Sequence, residues 1–220
     1  MRMNFERQPS TEMPIGNREI DAAYERACAM LSEPIDPRTF KDYKDVEGDI
    51  AYVSKLERLF EEKNERESPE VQKSMKLAKI FEAIIFEHAE QSNWFGEAAT
   101  TTAASRYDDY INKVDAIVEF PDEKSGASHL ALAMDVTIAE HFGEKFDHIK
   151  AGIDAGTLTE IKYFASDHLN IRGRKDKVPH VVIGVDRPTL YEVIKLWMKK
   201  NNKALADHPV QVKVLEEIRL

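Results

Sequence analysis

Two aspartates stand where the apolar pattern around them gives no reason for a charge. Asp115 opens the run V-D-A-I-V-E-F at 114–120, and Asp135 comes late in the run H-L-A-L-A-M-D-V-T at 129–137. Between them lies P-D-E-K-S-G-A-S, a polar turn bearing Gly and Pro, so the two runs read as the strands of a β-hairpin. In an antiparallel hairpin the start of one strand lies beside the end of the next. The two carboxylates are therefore expected to meet. Like charges in low dielectric repel strongly, so such a pair requires a proton or a cation between them. Residues i and i+2 share a strand face, which sets Thr137 beside Asp135.

Glu87, near the end of a predicted helix at about 68–92, is a third carboxylate of interest. A carboxylate there gains nothing from the helix dipole, so Glu87 is either an exposed acid or one held by a partner. Glu87, Asp115 and Asp135 together would offer hard oxygen ligands of the kind that suit Mg2+ or Mn2+. An ion so held can generate hydroxide and stabilise the charge that develops on a phosphodiester. Each acid also has a plainer reading. Asp115 could cap a turn or pair with Lys113 or Arg106, Asp135 could sit in a buried ion pair, and Arg106, Asp108 and Asp109 could line the site but read first as structural groups at the hairpin mouth. His88 falls on the apolar stripe and reads as a core histidine. No H-x-x-x-H or H-E-x-x-H spacing points to zinc.

The elements that must position these groups follow from periodicity and punctuation. Asn17 is expected to cap a helix to about residue 31. A second helix at about 46–65 presents Val53, Leu56, Leu59 and Phe60 as an apolar face. Ser68 and Pro69 start the third, on which Leu77, Ile80, Phe81, Ile84 and Ile85 form a broad stripe suited to a sheet. The small, Thr-rich stretch 98–105 is expected to be a short strand or extended approach. After the hairpin come a helix at 139–154 (Phe142, Phe146, Ile149 and Ile153 inward, Gly156 ending it), a half-buried strand at 158–165, and a loop at 166–179. A fully buried strand at 180–185 and two helices close the chain. The loop carries R-G-R-K-D-K; Arg172, Arg174, Lys175 and Lys177 offer the best local phosphate contact for DNA, though a charge run is more often a solvated face. The reading is a 1–66 helical extension on a 67–220 α/β core, one compact domain overall.

That order of helix, hairpin with Asp115 and Asp135-x-Thr137, helix and strand resembles the restriction-endonuclease-like superfamily, the PD-(D/E)xK nucleases, over about residues 70–185. The resemblance implies an α/β fold with a restriction-endonuclease-like core (a mixed sheet flanked by helices) and an N-terminal helical extension. It implies Mg2+- or Mn2+-dependent hydrolysis of DNA, with Asp115 and Asp135 as motif acids and Glu87 as the helix acid. The motif lysine is Thr137 here. Lys145, Lys150 or Lys162 could supply the cation, Lys162 first because a strand holds its side chains rigidly. The alternative is a catalytically inactive nuclease-like domain acting as a binding or assembly module. The segment Y-D-D-Y-x-N-x-V-D at 107–115 also resembles a stretch shared by bacterial proteins, a likeness that implies no activity.

Composition sets limits. The 220 residues carry a net charge of −9, so contact with a polyanion has to be local. No apolar run reaches the length of a membrane helix and no signal-peptide core is evident, so a cytoplasmic protein is expected. The single cysteine, Cys28, permits no intrachain disulfide and reads as a buried helix thiol.

Overall fold

The structure is a computed structural model and describes residues 15–32, 34–121, 129–138, 142–166 and 171–219. In chain order these form α1 (Asn17–Met30), α2 (Val46–Arg66), α3 (Pro69–Gln91), β1 (Thr100–Ala103), β2 (Ala116–Pro121), β3 (His129–Ile138) and α4 (Phe142–Asp154). There follow β4 (Thr159–Ala165), β5 (Arg172–Val178), β6 (His180–Val185), α5 (Arg187–Met198), α6 (Asn202–Ala206) and α7 (Val210–Arg219). A single π-helical turn, Asp108–Asn112, leads into β2.

The fold is α/β, with a mixed sheet flanked by helices. Strand order is β1-β2-β3-β6; β1, β2 and β3 run antiparallel in sequence, and β6 joins β3 in parallel. A parallel neighbour requires a crossover, and α4 lies within it. Alternation along the strands separates two faces. Ala116, Val118, Met134, Val136 and Ile138 share one core with Leu77, Ile80, Phe81 and Ile84 of α3, and with residues of α1, α5 and α7. Ile117 and Ala133 point the other way, onto Ile161 and Phe164 of β4 and Val178 of β5. The stripe read on α3 is this buried face, and each fully buried Leu, Ile or Phe contributes about 1.5–3 kcal/mol. Ser68 caps α3 through its Oγ, which accepts from the Val71 amide at 3.4 Å.

Several expectations are corrected. Gly16, not Asn17, caps α1, with Glu19 Oε2 accepting its amide at 3.2 Å. Cys28 is exposed; α1 buries Ala23 and Ala27 against α3 and turns Cys28 outward. On α2 only Val53 is buried, and Leu59 and Phe60 are exposed, because this helix stands away from the core. Ile153 is likewise exposed, at the free end of α4. The basic stretch Arg172–Val178 is a strand, not a loop: it pairs antiparallel with β4 in a separate two-stranded sheet. The hairpin turn at 122–128 and the side chains of Phe142, Lys145 and Phe146 lie outside the described residues.

Candidate functional site

The β2–β3 register pairs Ala116 with Met134. Asp115 lies one residue beyond the end of this ladder, beside Met134–Val136 of β3. Its amide donates to the Met134 carbonyl at 2.8 Å, and its Oδ2 accepts from the Val136 amide at 2.7 Å. Its carboxylate is thereby fixed against the β3 backbone next to Asp135. Asp135 and Thr137 are both buried. All three line one cavity of about 1170 Å3.

The cavity floor brings in three groups that the sequence reading did not assign to the site. Lys79 and Glu82 project from α3 and are joined Nζ to carboxylate at 2.8 and 2.9 Å. Asp109 comes from the π-helical turn. The turn separates it from its neighbour Asp108, which is wholly buried and accepts from Ser105 Oγ, Asn112 Nδ2 and the Lys162 and Tyr163 amides at 2.6–3.0 Å. Asp108 is thus the structural acid of the pair and Asp109 the one in the cavity. Arg106 reaches Asp109 at 3.9 Å and Glu57 of α2 at 4.0 Å.

The electrostatics of this floor all run one way. Burial, and then the charge of Asp115, pushes the Glu82 carboxyl up to about 8. The same two causes push Asp109 up to about 6. Burial disfavours the charged Lys79 ammonium, but Glu82, Asp109 and Asp115 outweigh it and raise its pKa. Burial is the larger cause for both acids, and the negative charge of Asp115 adds to it, so a proton or another cation among them is favoured. Lys79, held fully charged, can act as an electrostatic donor and not as a base. Among the described residues, no three His, Cys, Asp or Glu side chains are already closed into a metal-ligand set. The donors nonetheless have the hard-oxygen chemistry that suits Mg2+ or Mn2+.

Glu87 and Lys162 are placed apart from this cavity. Glu87 lies five residues beyond Glu82, about 140° further round the helix, and faces α1 and α5. Arg26 Nη2 donates to both its oxygens at 3.0 and 3.2 Å, the Trp197 indole N–H donates to Oε2, and the Arg26 guanidinium stacks 4.0 Å over the Trp197 ring. It is a held, structural carboxylate. Lys162 stands on β4, which pairs with β5 and not with β3, and its Nζ is tied to Asp49 of α2 beneath the Tyr107 ring. His88 is buried, with Nδ1 2.8 Å from Ser92 Oγ, as a core histidine should be. Of the basic strand, Arg174 pairs with Glu160 and Asp176, while Arg172 donates to the Thr39 carbonyl at 3.3 Å.

Lys79 and Glu82 were findable. Charged residues three apart on the flank of a buried stripe, beside the strand that carries Asp115, are placed to look along the sheet end. Comparison of the chain with protein-family models, curated protein sequences and solved structures gives no significant match. The described residues contain no helix long and apolar enough to cross a membrane.

Proposed function

We propose that this protein is a divalent-metal-dependent nuclease that hydrolyses DNA phosphodiesters at the Asp115–Asp135 cavity. The observation that carries the reading is the convergence of Glu82, Asp109, Asp115 and Asp135 on one cavity, where Mg2+ or Mn2+ would balance their charge. The run from α3 through β1–β3 to α4 also follows the helix, hairpin and helix of the PD-(D/E)xK resemblance, with β4 and β5 coming between α4 and β6. Asp115 and Asp135 would hold the ion, with Glu82 from α3 in the part expected of Glu87. A divalent ion there would supply positive charge to the phosphoryl oxygens and an activated water. Lys79 answers the absence of a lysine at Thr137. Its ammonium stands among the acids and can donate to an attacking water or to a phosphate oxygen.

The test is Mn2+-dependent nicking of plasmid DNA. Asp115→Asn keeps the hydrogen-bond geometry to Val136 and removes the charge. It should lower nicking at least about a hundredfold, the upper end of what losing a supporting residue alone costs. Undiminished nicking would show that the activity lies elsewhere.

The net charge of −9 favours the rival, a nuclease-like domain serving as an assembly module. That reading predicts no cleavage with any divalent ion.

A further inference from the structure

The two walls of the cavity differ in kind. On one side stands α2. Its Glu57, Glu61 and Glu65 recur every fourth residue along a single helix face, and all three line the cavity. Phe60 sits between them, 40% exposed, with its ring 5.6 Å from that of Tyr110 on the π-helical turn. On the other side α3 presents Lys76 and Lys79, with Glu82 bonded to Lys79. Lys76 is paired with Asp21, but both are exposed, and such a pair costs little to exchange for a phosphate.

From this asymmetry we infer that the cavity takes a single, unpaired DNA strand, with its phosphates along the lysines of α3 and its bases against Phe60 and Tyr110. The inference rests on the nuclease reading of the acids below. A single strand has one charged edge and one stacking edge, and every base has a face that can stack on an aromatic ring. A duplex carries phosphates on both edges, so one backbone would have to lie against Glu57, Glu61 and Glu65, and like charges opposed across an interface cost several kcal/mol. The acid wall thus gives the selectivity, and the aromatic pair the grip.

Fluorescence anisotropy in Ca2+, with one labelled oligonucleotide offered as a single strand and as a blunt duplex, tests this on the full chain. The single strand should bind about tenfold or more tighter than the duplex. Phe60→Ala, at an exposed position on a lightly packed helix, should weaken single-strand binding at least about fivefold. Glu61→Gln with Glu65→Gln should narrow the gap by admitting the duplex. Equal or tighter duplex binding, or single-strand affinity indifferent to Phe60→Ala, would overturn the inference. Cleavage with Mn2+ separates the two readings. If duplex and single strand are cut equally, the nuclease stands and the inference fails. If neither is cut but Phe60-dependent single-strand binding persists, the inference stands and the nuclease reading fails.

Discussion

Two lysines divide the roles that one was expected to fill. Lys162 holds Asp49, which also accepts from the Tyr163 hydroxyl. Lys79 holds Glu82 within the acid cluster. Replacing Lys162 by Met should leave Mn2+-dependent nicking within a few-fold of the parent and lower unfolding free energy by about 1–3 kcal/mol, the cost of stranding a part-buried carboxylate. Replacing Lys79 by Met should do the reverse and cut the nicking rate by about a hundred- to a thousandfold, as loss of one charge-stabilising donor does. Paired rate and denaturant measurements on both variants decide the assignment, and a Lys162→Met protein that is stable but inactive would return the role to β4. At this scale the sequence was informative where spacing alone fixes position. Asp115 lies against the Met134–Val136 backbone because antiparallel pairing brings the start of β2 beside the end of β3. Glu82 and Glu87 both flank the α3 stripe, and spacing alone does not say which of the two flanks the hairpin meets. Only packing of the Leu77–Ile84 stripe sets that, and it turns Glu82 inward to the hairpin and Glu87 away to Arg26.

The element that departs furthest from its sequence reading is α2. Its spacing of Leu56, Leu59 and Phe60 is that of a packed helix, yet of its residues from Val46 to Arg66 only Val53 is buried. Its N-terminal cap, Asp45, sits in the left-handed region at φ 65° and makes no side-chain cap bond. Its main tethers are side-chain bonds, Asp49 to Lys162 and Tyr163 at one end and Gln72 Nε2 to the carbonyls of Asn64 and Glu67 at the other. Helices that bury little apolar surface open locally at low free energy. Amide hydrogen exchange should therefore be faster across Ser54–Glu62 than across Leu77–Ile85 of α3, by roughly several kcal/mol of opening free energy. Equal protection would mean that α2 is fixed by contacts stronger than those described. The β4–β5 pair misleads in the opposite sense. R-G-R-K-D-K has the composition of a loop, but exposure on both faces of a two-stranded edge lets a strand be that polar, and its register slips at two places suit it to carrying Gly173 at φ +135°.

For the molecule as a whole, the cluster at the sheet end links stability to pH and to metal. The layers were legible, since the stripe on α3, the alternating hairpin and the apolar β6 run each announce their partners; the charge balance at their junction was not, because it arises only when α3, the π-helical turn and the hairpin are brought together. An acid whose folded pKa lies above its unfolded value binds its proton more tightly in the folded state, so stability falls as pH rises between the two. For Glu82 that window runs from 4.5 to about 8, and for Asp109 from 3.8 to about 6. The metal-free protein should therefore lose up to a few kcal/mol from these groups as pH rises from about 5 to about 8. A divalent ion takes the place of the proton, so millimolar Mn2+ should raise the melting temperature little at the acid end and most above pH 8, where an ion at a hundred times its dissociation constant stabilises the fold by about 2.7 kcal/mol. Glu82→Gln carries the neutral side chain at every pH and should flatten the metal-free profile while weakening the response to Mn2+. Melting curves of both proteins across this range, with and without the ion, decide the matter. A pH slope that survives in Glu82→Gln would place the proton elsewhere, and a metal effect equal at pH 5 and pH 8 would mean that the ion does not compete with it.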